Sequence, residues 1–292
     1  MSAAVQQAAQ TAPSPRERAR RRARRSVTLG IGLTLVGIVV LVAALSFVWL
    51  PFAQSDTSGG RLQPPNGTHW LGTDIFGHDL TTKLMIGARI ALGVGVGAVV
   101  IGAVVGITIG MLAAFATRWL DDTISAALDI IIAFPVLLLA MLIVAAQGAS
   151  LGTAILAIGL AMSAVVARLT RVLSKRVLSQ QYVTAARTSG TSWGGVVARH
   201  VLPNIWPTLS VNLALQFGVA VLAEASLSYL GLGAPPPNAS WGRLLQEAQG
   251  TVAVAPVGAI APGVALVVLV VGVNLIADGL RDVADPTRRR SR

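Results

Sequence analysis

Apolar residues fall into six long blocks along the chain: Val27–Leu50, Arg89–Phe115, Thr123–Ala146, Leu151–Ala167, Asn204–Gly231 and Pro256–Ala277. Each is near or above the ~20 residues that a helix needs to cross a bilayer. The fourth is the shortest. The blocks are continuously apolar rather than alternating, which predicts helices and not the strands of a barrel. The pattern therefore predicts an all-α integral membrane protein with six transmembrane helices.

The polar pieces between the blocks are uneven. Residues 51–88 form the longest stretch outside, with turn formers at Pro64-Pro65 and Asn66-Gly67 and tight polar turns at Gly72-Thr73-Asp74 and Gly77-His78-Asp79. Asp79 suits the N-cap of an amphipathic helix that presents Leu80, Leu84, Gly87 and Ala88 on one face. Two readings of Asp74 and Asp79 stand: they cap and fold an outer collar, or they lie beside a substrate path or docking surface. Within the second block, Gly93/Gly97 and Gly102/Gly106/Gly110 recur four apart, which makes a face for close helix packing, inside a bundle or against a second subunit.

Residues 180–203 are the second unusual piece, polar and punctuated by Gly190, Gly194 and Gly195. Gly190 can end a short helix in the left-handed conformation, and Ser192 can cap the next. That second helix, Trp193–Val201, is expected to stop near Pro203, which then fits the first turn of the fifth span. The prediction is two short helices at a sharp angle, joined stiffly to a membrane helix. The second shows Trp193, Val196, Val197 and Val201, an apolar face too short to span and in need of a groove on something else.

Composition agrees with a membrane chain: of 292 residues, 54% are hydrophobic and 12% charged, about half the charged share of a soluble domain. Cysteine is absent, which excludes disulfides and thiolate chemistry. His69, His78 and His200 are far apart, so no metal site is expected. The net charge of +11 changes the picture most. Nineteen of the 23 lysines and arginines fall in the N-terminal tail, the second and fourth loops and the C-terminal tail (278–292). The excess places both termini in the cytoplasm and explains the basic charge without nucleic acid. The tail 1–26 is expected to be a disordered basic segment near anionic lipid head groups. The first block is too long for a cleaved signal core of about 7–15 residues.

Two carboxylates lie inside apolar blocks. Asp129 sits about two turns into the third, and Glu224 near the outer end of the fifth. Such residues are costly in lipid. They serve either as structural hydrogen-bonding groups or as ion-coupling sites of a secondary transporter. No nucleotide-binding G-x-x-x-x-G-K-[ST], H-E-x-x-H or G-x-S-x-G is present. The chain is expected not to be an enzyme, so energy must come from a partner or an ion gradient.

The stretch AARTSGTSWGGVVARHVLP resembles the EAA loop of bacterial ATP-binding-cassette import permeases, E-A-A-x-x-x-G-x9-I-x-L-P, through Ala185, Ala186, Gly190, Leu202 and Pro203. Thr184 replaces the glutamate and His200 the isoleucine. HWLGTDIFGHDLTTKLMIGARIAL is similar to the outer-loop signature of dipeptide/oligopeptide permeases, with His78 where arginine is common. LAEASLSYLGLGAPPPNASWGRLL resembles the end of the fifth span in that family. NLIADGLRDVADPTRR, with Asp278, Gly279, Leu280, Arg281, Asp282, Asp285 and Pro286, resembles the C-terminus of its C-type subunits. The resemblance covers roughly residues 27–288. It implies a type I importer permease of the bacterial plasma (inner) membrane, with six spans and half of a translocation pathway. The implied partners are a sister permease, two ATP-binding ATPase subunits or a fused ATPase, an extracytoplasmic substrate-binding protein and a peptide substrate. ATP and magnesium would belong to the ATPases, with no cofactor here. Ala185, Ala186, Gly190, Trp193, Leu202 and Pro203 would couple to the ATPase, while Asp74, Asp79 and Glu224 stand, on the reading of the residues alone, as candidates for a substrate path or docking surface. The same broad family carries nickel chelates, glutathione and sugar-peptide conjugates.

Overall fold

A computed structural model describes residues 15–284 except 234 and 236, with side chains over 27–281 apart from those two. Ten helices follow in order: α1 Pro15–Val48, α2 Leu80–Phe115, α3 Arg118–Ala133, α4 Val136–Gln147, α5 Leu151–Leu178, α6 Gln181–Thr188, α7 Trp193–Val196, α8 Leu202–Tyr229, α9 Trp241–Ala248 and α10 Val257–Ala284. A π-helical turn, Val197–Val201, joins α7 to α8. The described residues hold no β-strand, only one isolated bridge between Thr73 and Asp79.

Among the described residues, five helices are long and apolar enough to span a membrane, and a sixth span exists if α3 and α4 are taken together. That pair corrects the third predicted block. It is bent by 90° at Phe134-Pro135 and is not one straight rod. Proline supplies no N–H and disfavours helical geometry in the residue before it. Phe134 accordingly turns extended, with φ −86° and ψ 135°.

Other boundaries move outward. The amphipathic segment after Asp79 and the second span are one helix, α2, of 36 residues, about 54 Å long. The fourth block continues to Leu178, so Arg168, Arg171, Lys175 and Arg176 stand on helix, not in a loop. Helix α1 begins at Pro15, inside the tail expected to be disordered; residues 1–14 lie outside the described residues. Helix α10 carries Asp278–Arg281 of the predicted tail, while Asp285, Pro286 and the last four arginines also lie outside the described residues.

The glycine stripe predicted to pack does so within the chain. A Cβ at Gly102 would stand 3.2 Å from the Gly159 carbonyl oxygen on α5, and one at Gly106 would stand 2.6 Å from that of Ser163. Helices α2 and α5 thus meet backbone to backbone, where lipid supplies little drive for association. Gly93 faces open space. One buried cluster joins α2, α4, α5 and α8 around Val94, Val144, Ile158, Met162 and Leu227. A second joins α1, α2, α8, α9 and α10 around Val39, Val221, Trp241 and Leu269. Residues 51–79 form a collar at the Leu80 end of α2, and α6–α7 form a hook at its Phe115 end.

Candidate functional site

The hook is built by its caps. The Thr191 N–H donates to the Ala186 carbonyl and the Gly190 N–H to that of Arg187, both at 3.0 Å, which closes α6 in a Schellman motif. Gly190 has φ +89°, the left-handed geometry such a closure requires. Ser192 then caps α7, its hydroxyl oxygen accepting the Gly195 N–H at 3.2 Å. Arg187 fastens the two arms together. It donates to the Thr191 carbonyl at 2.5 Å and lies 4.1 Å over the Trp193 ring. Trp193 in turn meets Phe115 edge-on at 5.4 Å.

Two expectations about the second arm are corrected. It does not stop near Pro203. In the π turn the Leu202 N–H reaches the Val197 carbonyl, five residues back, and α8 continues without a gap. This wider turn takes in a residue that has no N–H and would crowd the carbonyl four residues before it. Asn204 helps, its side-chain amide donating to the His200 carbonyl at 2.6 Å. The apolar face also does not wait entirely for another molecule. Val196 and Val201 are fully buried with Val183 and Ile205 against Leu173, Val177, Met111 and Phe115. Trp193, by contrast, keeps 52% of its surface exposed.

What stays open is a groove lined by Ala114, Phe115, Leu178, Val183, Thr184, Arg187, Trp193, Gly194 and Val197. Of the coupling residues read from the sequence, Trp193 lines it, Ala185 and Pro203 are exposed, and Ala186 and Leu202 are half-buried. A side chain at Gly190 would meet no atom within 4 Å. Thr184, in place of the motif glutamate, is exposed on the groove wall. His200, in place of the isoleucine, lies 5.8 Å from the Tyr182 ring. Arg187, Phe115 and Val183 were missed by sequence reasoning. Arg187 and Trp193 flank the Gly190 turn as a cation and an aromatic ring, a signal that could have found that pair.

At the other end, Asp74 and Asp79 are both buried and both satisfied. Asp79 accepts the Thr82 N–H at 2.7 Å, the expected N-cap, and its other oxygen lies 3.0 Å from His69 Nδ1. Asp74 accepts the N–H groups of Phe76 and His78 at 2.7 and 2.9 Å and pairs with His78 Nδ1 at 3.0 Å and with Lys83 Nζ. Lys83 bridges onward to Glu247 on α9 at 3.2 Å, which also holds Arg243 at 3.0 Å. Burial pushes the Asp74 carboxyl up, but the Lys83 ammonium and the two backbone donors outweigh it and hold the group below its ordinary 3.8. Gly77, with φ +86°, makes the tight turn between them. Glu247 and His69 carried no sequence signal, because their partners are set by tertiary packing.

The two intramembrane carboxylates share no partner. Glu224 is 1% exposed and accepts the Ser228 hydroxyl at 2.6 Å. Asp129 pairs with Arg168 at 3.3 Å, both side chains more than half exposed. Among the described residues no group of three or more His, Cys, Asp or Glu could hold a metal ion.

Residues 106–290 match the family described as binding-protein-dependent transport system inner membrane component. Over 257 residues the chain is 37% identical to the dipeptide transport system permease protein DppC of Alkalihalophilus pseudofirmus, covering 88% of this chain and 84% of that one. A Brucella suis protein provisionally named as a peptide transport system permease is 40% identical over 258 residues, with 88% and 86% covered. The glutathione transport system permease protein GsiD of Pectobacterium atrosepticum is 36% identical over 222 residues, with 76% and 74% covered. Such a match over the hook, the buried helices and α10 makes the chain a non-catalytic, multi-pass permease of a bacterial ATP-binding-cassette importer, and it belongs to the family of binding-protein-dependent transport system inner membrane components.

Proposed function

We propose that the chain forms half of the membrane pathway of an ATP-driven importer of di- and oligopeptides, with both termini in the cytoplasm. A sister permease supplies the other half. Two ATPase subunits, or one fused ATPase, bind ATP and magnesium, and an extracytoplasmic protein delivers the peptide. The hook at Ala185–Pro203 is the seat of the ATPase. The observation that carries this reading is mechanical: the capped hook runs through Val197–Val201 into α8 with no break, so displacement of Trp193 moves a membrane helix. Alternating access then follows from rigid movement of α8 against its neighbours.

The peptide assignment is supported by the names of the dipeptide and peptide permeases it resembles. Glutathione, itself a small peptide, is the second reading, favoured by the GsiD relatives. Uptake into proteoliposomes holding the whole assembly tests both. Labelled dipeptide, or labelled glutathione if the second reading holds, should enter only with internal ATP and regardless of a protonophore. Entry without ATP that collapses with a protonophore would instead mark an ion-coupled carrier using Asp129 or Glu224.

A further inference from the structure

Helix α3 is poorly anchored by apolar contact. Of its 16 residues, only Asp121 and Leu128 are buried. Leu128, with Ile124 and Ile132 beside it, rests on Ala164, Ala167 and Ile109. The opposite side is open, with Trp119, Ile130 and Phe134 all more than half exposed. The first turn depends instead on charge. Asp121 receives the Arg171 guanidinium in a two-point fork, Nε at 2.5 Å and Nη2 at 2.8 Å, and also pairs with Lys175 Nζ. Arg168, Arg171 and Lys175 are three and four residues apart, so they line one face of α5. Asp129 takes Arg168 from the same helix.

The fork and the floor of the hook occupy the same end of α5. Leu173, Val177 and Leu178, within one turn of Lys175, form the floor on which Val183, Val196 and Val201 of the hook are packed. Beyond α3 the chain turns through the 90° elbow into α4, whose Ala140 and Val144 are in the central core. We infer that Asp121 is a positioning residue for coupling: it latches α3 to the hook-bearing end of α5, so that a push on the hook moves the α3–α4 elbow as well as α8. This rests on the proposed role of the hook. A bidentate carboxylate–guanidinium contact suits such a latch because it fixes direction as well as distance.

The absence of cysteine makes the test direct. Spin labels at Thr123→Cys on α3 and Thr188→Cys on α6, both exposed positions, report the α3-to-hook distance in the assembled transporter. The inference expects one narrow distance in the parent, a broadened distribution in Asp121→Asn, and recovery of the narrow one in Asp121→Glu. Lys175→Met, which removes the half-exposed second leg, should broaden it less. Peptide imported per ATP hydrolysed should fall about tenfold in Asp121→Asn, a usual size for coupling between distant sites, and recover in Asp121→Glu. An unchanged distribution in Asp121→Asn overturns the latch; if that variant does not assemble, an unchanged one in Lys175→Met does so. Equal losses of import and hydrolysis overturn it too. A parent assembly that imports nothing with ATP refutes the proposed function instead, and the distances still decide the latch.

Discussion

The collar and the hook stand at opposite ends of α2, and they treat polar and aromatic groups in opposite ways. In the collar, Asp74 and Asp79 turn inward and every carboxylate oxygen finds a donor or a cation. In the hook, the backbone at the Gly190 turn is closed by caps, while Trp193 and the groove stay open and a side chain at Gly190 would face empty space. A region finished within one chain reads as scaffold. A region whose backbone is finished but whose surface is not reads as a seat for another molecule. The contrast also bears on Asp74 and Asp79 as substrate or docking residues: their charge is already spent on Lys83, His69, His78 and backbone N–H groups.

The sharpest way to break the contrast is to unpair the collar. Lys83→Met leaves Asp74 buried beside a neutral side chain, which costs about 3–5 kcal/mol. Thermal unfolding of the purified assembly should move down accordingly, while peptide imported per ATP stays at the parent value. A changed coupling ratio would make the collar more than scaffold. At the hook, Gly190→Val forces a branched residue into the left-handed region, which costs roughly 1–2 kcal/mol. The Schellman closure should fail and import should drop about tenfold, with ATP hydrolysis retained. Gly190→Asn, which tolerates that geometry, should stay close to the parent. Equal behaviour of the two variants would show that the turn does not matter.

Much of the hook was legible in the sequence because caps are local: Gly190 and Ser192 act on neighbours within five residues, as does the Asp79 N-cap at the collar end of α2. What was not legible depended on the third dimension. The π turn hides Pro203, since a proline read from sequence alone signals an end and not a widened turn. Arg168, Arg171 and Lys175 looked like loop charges because their counter-ions Asp121 and Asp129 stand about forty or more residues earlier. The Phe134-Pro135 elbow was present as a dipeptide, yet the apolar run on either side disguised it. Among the described residues, the six blocks correspond to five helices long and apolar enough to span and one bent pair.

Smaller effects sharpen the same comparison. Trp193→Ala removes a cation–π contact and an edge-on ring pair, about 1–2 kcal/mol together. Its expected readout is weaker binding of the ATPase subunits to the permease pair, with the permease pair's unfolding temperature little changed. The Asp74 pairing in the collar should survive mild acid. The Asp74 carboxyl sits below its ordinary 3.8, so its contribution is complete above that pH and is lost only as pH falls through the lower folded value. Titration of the Asp74 carboxyl itself should therefore add no change in unfolding temperature between pH 5 and pH 7.

The central claim is that the hook is seated on an ATPase in the cytoplasm. The most direct measurement places a single cysteine at Ala185 on the hook and, separately, at Trp70 on the exposed collar surface, in a chain that otherwise has none. Cross-linking in right-side-out vesicles should join Ala185→Cys to an ATPase subunit and leave it unlabelled by an external, membrane-impermeant thiol reagent, while Trp70→Cys is labelled from outside. Labelling of Ala185→Cys from the outside, with no ATPase cross-link, would contradict the account.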